Sequence, residues 1–178
     1  MAAAELAEMR DTASVSLIVD AFNREKNPLV KFNMAAALML LRSRVGKDYL
    51  LHICQEESSS EGVRLDAASR LFDVGDSGCL PSVENILTVT ANSSIKVSAL
   101  LSLTHVKVIP PTLAPRIHIL LVVSLQDADS AVRQYATRAI ASLSDKDAIP
   151  SLQAAIAKES DRSLKEYMED CLKTLEAQ

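Results

Sequence analysis

Tryptophan is absent, and three Tyr and three Phe are the only aromatic residues in the chain. Its core must therefore come from Leu, Ile, Val, Ala and Met, a palette rich in helix formers. Four Gly and six Pro leave little material for the tight turns of a β-protein. No run of 18 apolar residues occurs, so no membrane-crossing helix is expected. The opening "MAAAELAEMR" has neither a basic n-region nor an apolar h-region and does not read as a signal peptide. Cysteine is scarce and odd in number: Cys54, Cys79 and Cys171, with no Cys-x-x-Cys. The expectation is buried thiols in a reducing, cytoplasmic setting rather than a disulfide framework or metal site.

The motifs of chemistry are missing as well. There is no His-Glu-x-x-His, no Gly-rich phosphate loop and no Gly-x-Ser-x-Gly. His52, His105 and His118 are scattered, and His52 and Cys54, two apart on a helix, point in different directions. No catalytic, metal-binding or cofactor-binding residue is expected. The net charge of −4 and pI of about 5.4 weigh against nucleic acid, which needs a concentrated positive surface.

What the chain does have is a repeating pattern. In "AVRQYATRAIASL", Val132, Ala136, Ala139, Ile140 and Leu143 recur at helical spacing, with Asp129 and Ser130 ahead as candidate N-caps. "SDKD" interrupts, and "AIPSLQAAI" restarts with Pro150 in a first turn, where a missing N–H costs little. With Val132 as origin, the same phase returns from Val63: Ala at offset four, apolar residues at eight and eleven, Asp at thirteen (Asp76, Asp145) and Pro at eighteen (Pro81, Pro150). Val30, Ile95 and Leu164 are further origins, so successive origins lie 33, 32, 37 and 32 residues apart. Leu6 and Met9, then Val15, Ile18 and Phe22, fit a partial copy at the start. The 37-residue spacing comes from a longer loop, "KVIPPTLAP".

Such helix pairs bury their apolar faces only by stacking. The expectation is one all-α domain over 1–178: a partial pair at 1–27, full pairs at 28–60, 61–92, 93–129 and 130–160, and a charged capping helix at 161–178. That makes about eleven helices.

Pairs of this length opening with "D-x-x-x-VR-x-x-A" and closing with "D-x-x-A-I-P-x-L" resemble the HEAT repeat, in the short form found in bilin-lyase-like proteins. The pattern is fullest from Asp129 to Ile156 and clear from Ser60 to Leu87. The resemblance implies a right-handed α-solenoid with second helices on the concave side, where family members mostly hold other macromolecules. It implies a non-catalytic scaffold for a protein or peptide partner. A bilin-lyase-like subunit that attaches or removes a chromophore is the alternative, and a nucleic-acid-binding solenoid a third.

Offset one holds Lys31, Arg64, Lys96, Arg133 and Lys165. A cation in a helix's first turn opposes the macrodipole by about 0.3–1 kcal/mol, so its recurrence suggests a compensating anion in every repeat. HEAT-like families supply one as an Asp–Arg ladder, which here would join Arg64 and Arg133 to Asp76 and Asp145, with Arg133 meeting the loop of Asp76. On the second helices, His52, Gln55, Glu84, Asn85, Thr88 and Gln153 are candidate partner-binding residues. The helix at 116–126, "RIHILLVVSLQ", is apolar nearly all round, more than one buried stripe requires. Either the long loop covers it or an apolar patch faces the groove, with Leu121 and Val122 as the surplus residues.

Overall fold

The computed structural model describes residues 12–177, and the expected first helix with Leu6 and Met9 lies outside them. The described residues form ten α-helices and no strand: α1 Val15–Arg24, α2 Pro28–Leu40, α3 Arg44–Gln55, α4 Glu61–Asp73, α5 Leu80–Val89, α6 Ser93–Leu103, α7 Ala114–Ser124, α8 Ser130–Ser142, α9 Ile149–Lys158 and α10 Arg162–Ala177. The first helices of the pairs pack in sequence, α4 on α6, α6 on α8 and α8 on α10, and α5 packs on α7 beneath them. This is an all-α solenoid of stacked helix pairs.

The first helices begin alike because the residue three before each origin caps them. Asn27 Oδ1 accepts from the N–H groups of Leu29 and Val30, and Asn92 Oδ1 from those of Ser94 and Ile95. Asp129 accepts from Ala131 N–H, and Asp161 from Ser163 and Leu164 N–H. Each bond satisfies an amide that the first turn leaves without a helical partner. Ser60 stands in the same place and makes no such bond.

Three first helices also end alike. Arg42, Gly75 and Ser144, all at offset twelve, have φ of 61°, 82° and 52°. The following N–H, of Ser43, Asp76 or Asp145, then donates back to the carbonyl of Leu38, Leu71 or Ile140 at offset eight. A left-handed residue closing a six-to-one hydrogen bond is the Schellman cap. It turns the chain straight into the second helix, and two of the helices so reached, α5 and α9, carry proline in the first turn, as does α7 after the longer loop.

The core lies between the two layers. Leu38, Leu50, Leu71, Phe72, Leu100, Ile117, Leu121 and Ile140 are essentially sealed from solvent. Alanines at 35–37, 67, 68, 99, 136 and 139 are buried on the first helices and keep those helices close. The tightest crossing is at Gly46 of α3, where a Cβ would come within 2.3 Å of the Ala35 carbonyl oxygen and 2.6 Å of Met39 N.

The expected free thiols are corrected here. Cys54 and Cys79, both fully buried, form a disulfide with Cα atoms 6.0 Å apart, which ties the end of α3 to the start of α5. Only Cys171 is free among the described residues. A buried disulfide in place of two thiols leaves the cysteines without support for a reducing compartment. No described helix is long and apolar enough to cross a membrane.

Candidate interaction surface

Four of the five cations at offset one, Lys31, Arg64, Lys96 and Arg133, find partners, but not along an Asp–Arg ladder. Arg133 holds Glu159 by two parallel bonds of 2.8 and 3.0 Å, and donates also to the carbonyls of Asp127 and Ala128. Glu159 and Asp127 each sit five residues before an origin, in the loop that leaves a pair, and Lys96 reaches Asp127 at 2.6 Å. The hydrogen bonds and charge of Arg133 hold the Glu159 carboxyl below its ordinary pKa against the opposing effect of burial. Lys31 lies over the rings of Phe22 (4.9 Å) and Tyr49 (5.8 Å), and buried Arg64 donates to the Cys54 carbonyl. The partner therefore changes from copy to copy, between a carboxylate, an aromatic face and a backbone oxygen.

Asp76 and Asp145 serve another junction. Each accepts a cationic or imidazole group from the second helix of the preceding pair: Lys47 Nζ at 2.6 Å from Asp76, and His118 Nδ1 at 2.8 Å from Asp145. Burial raises the Asp76 pKa, but the Lys47 hydrogen bond, the Gly78 N–H and the Lys47 charge outweigh it and lower the net value. The arginine–aspartate ladder is thus replaced by contacts between the second helix of one pair and the loop of the next.

The second helices show the rest. His52 and Gln55 are exposed on α3, with His52 3.7 Å from Glu56. Glu84 is buried rather than presented, and its carboxylate takes Arg116 of α7 at 2.6 Å. Asn85 and Thr88 are exposed, the Thr88 hydroxyl donating to the Glu84 carbonyl. Gln153 is exposed and reaches Glu176 at 3.4 Å.

Leu121 and Val122 are not the surplus apolar pair. Leu121 is fully buried and Val122 half-buried against the core. The surplus is real but sits on the opposite stripe, at Ile119 (58% exposed) and Val123 (63%). Counting through the long loop obscures this phase, whereas counting from the first-turn proline recovers it. Pro81, Asn85 and Val89 on α5, Pro115, Ile119 and Val123 on α7, and Pro150, Ala154 and Lys158 on α9 then form matching columns, and all nine are exposed. By the same count Leu121 falls level with Leu87 and Ile156, both buried.

Beside Ile119 the long loop opens a cleft of ≈ 670 Å³ lined by Val106, Ile109, Ile117, His118, Leu143 and Asp145, among others. Its wall is mostly aliphatic, with the His118–Asp145 pair inside. No group of three or more His, Cys, Asp or Glu among the described residues is placed to hold a metal ion. The arrangement is suited to contact: an apolar stripe bordered by a cleft.

A search of curated proteins finds no match to the chain. Within α8 and α9, the pair whose caps, Asp145 and Pro150 follow the pattern most fully, residues 132–158 match the family model described as the PBS lyase HEAT-like repeat.

Proposed function

We propose that the protein is a non-catalytic HEAT-like scaffold that holds a protein or peptide partner against its second-helix face. The observation that carries this reading is the stripe of Ile119 and Val123, continued on α5 by Val89 (67% exposed), where exposed apolar side chains align at matching positions of two packed second helices. Apolar surface grouped in this way favours association, because burying it against a partner releases about 25 cal/mol per Å². Asn85 and Gln153 flank the stripe and supply hydrogen-bonding groups, while Glu84 acts indirectly by fixing Arg116. The test is crosslinked capture from the source cell with wild type and the Ile119→Asp/Val123→Asp double variant. Partners recovered by wild type and lost by a variant with unchanged circular dichroism support the surface. Identical recovery rejects it.

The match to a PBS lyase repeat favours a second reading, a subunit that binds a bilin for attachment or removal. It predicts a shifted visible absorption band when the purified protein is mixed with a bilin. An unshifted band with protein in excess would remove it.

A further inference from the structure

Between the turn that joins α2 to α3 and the turn that joins α4 to α5 lies a second cleft, of ≈ 460 Å³, whose lining includes Arg42, Ser43, Arg44, Lys47, Asp76 and Ser77. Its charges do not balance. Three cations and one carboxylate line it, and that carboxylate is already used: Asp76 Oδ2 binds Lys47 and Asp76 Oδ1 accepts from Gly78 N–H. Arg42 and Arg44 are exposed and form no ion pair among the described residues. The charge of Arg44 also acts on Lys47, lowering the pKa that Asp76 raises, so the cations feel one another. This excess sits in a chain of net charge −4.

The matching cleft beside α7 provides an internal comparison. There Lys107 and His118 face Asp145 and Asp147, so no cationic excess arises. The turn accounts for part of the difference. Its left-handed residue is Arg42 between α2 and α3, where the next pair has Gly75 and the fourth has Ser144. In the cleft beside α7 the cation at the same offset is Lys107, and it is held by the Asp73 carbonyl, whereas Arg42 has no ion-pair partner among the described residues. The Ser43 side chain makes no cap bond to its helix, which leaves its hydroxyl available alongside the two guanidinium groups.

We infer that this cleft is a binding site for a phosphoryl-type oxyanion, gripped by Arg42 and Arg44 with the Ser43 hydroxyl as a further donor. Planar guanidinium groups donate paired N–H bonds to tetrahedral oxyanions, and two beside one another suit a dianion better than a single carboxylate. The site stands apart from the Ile119–Val123 stripe and does not depend on its role.

The test titrates the full chain, isotope-labelled for amide NMR, with inorganic phosphate at constant ionic strength, and in parallel with chloride and with O-phosphoserine. Saturable shifts confined to residues 42–47 and 75–78 with phosphate but not chloride are expected. Arg42→Ala/Arg44→Ala should weaken the apparent affinity at least tenfold, while Arg24→Ala, which lines a different cleft, should leave it unchanged. Tighter binding of O-phosphoserine than of phosphate identifies an esterified phosphoryl group as the source, and equal or weaker binding identifies the free ion. Phosphate shifts no larger than those of chloride, or an affinity equal in wild type and the folded double variant, would overturn the site. Should the double variant unfold, Arg42→Gln and Arg44→Gln singly provide the same comparison, each with a several-fold loss expected.

Discussion

The two halves of the solenoid are held together differently. From α2 to α5, neighbours are joined by a backbone crossing at Gly46 and a disulfide between Cys54 and Cys79, beside one ion pair, Lys47 to Asp76. From α6 to α10, they are joined by ion pairs, Lys96 to Asp127 and Arg133 to Glu159, and the solvent face of α7 carries Ile119 and Val123. The first half spends its tightest contacts on rigidity. The second tolerates a longer loop and aligns two exposed apolar side chains on one helix. One repeat pattern therefore accommodates two ways of fastening its neighbours.

Gly46→Ala should break the first half most severely. A methyl group cannot fit 2.3 Å from the Ala35 carbonyl oxygen, and α3 must move off α2. Because the obstacle is backbone, the cost should lie above the usual overpacking range, at about 4 kcal/mol. Chemical denaturation of wild type and variant measures it, and a loss under about 1 kcal/mol would mean that the helices do not cross as described.

Reducing the disulfide, or Cys54→Ala/Cys79→Ala, should come next. The cysteines are 25 residues apart, and opening a loop of that size costs about 3 kcal/mol in the chain-entropy account. Thermal unfolding with and without reductant checks it. Protection from hydrogen exchange should fall in α3 and α5 and persist in α8 and α9. A uniform fall across both halves would show that the halves are one cooperative unit rather than two differently fastened ones.

Much of this was readable from sequence, for definite reasons. Offset eight is apolar because Leu38, Leu71, Leu103 and Ile140 line the layer junction, whereas offset eleven is buried at Leu41 and Val106 but exposed at Val74, and the residue three before each origin is Asn, Ser or Asp because a helix starts there. These are local constraints, and a repeat displays them several times over. Contacts between repeats were not readable in that way. The Asp at offset thirteen recurs, yet its partner is Lys47 in one copy and His118, beyond the long loop, in another. The disulfide occurs once, so no column announces it. Counting through the long loop puts Leu121 on the open stripe because that loop's unfamiliar length shifts the phase, although Pro115 marks where the helix begins.

In the second half, Arg133→Ala should cost about 2 kcal/mol, since it leaves the Glu159 side chain, 2% exposed, with only backbone donors. The pH dependence follows from the lowered Glu159 pKa. The carboxylate's contribution is fully present above the unfolded value near 4.5 and is lost as pH falls from there through the folded value. Urea midpoints measured at several pH values should show the gap between wild type and Glu159→Gln narrowing over that interval. A gap constant with pH would assign the stability to packing and not to charge.

The smallest effects test whether the turns of the two halves are interchangeable. Gly75 and Ser144 occupy the same left-handed position, and a Cβ at Gly75 meets nothing within 4 Å, so only backbone preference distinguishes them. Gly75→Ala should then cost about 1 kcal/mol, and Ser144→Gly should gain a similar or slightly smaller amount. Opposite signs of comparable size would establish that both turns run on the same cap geometry and that the halves differ only in what joins their repeats. A Ser144→Gly variant no more stable than wild type would instead mean that Ser144 contributes to its turn through the side chain, so that the fourth pair, the one matching the repeat family, has a turn of its own.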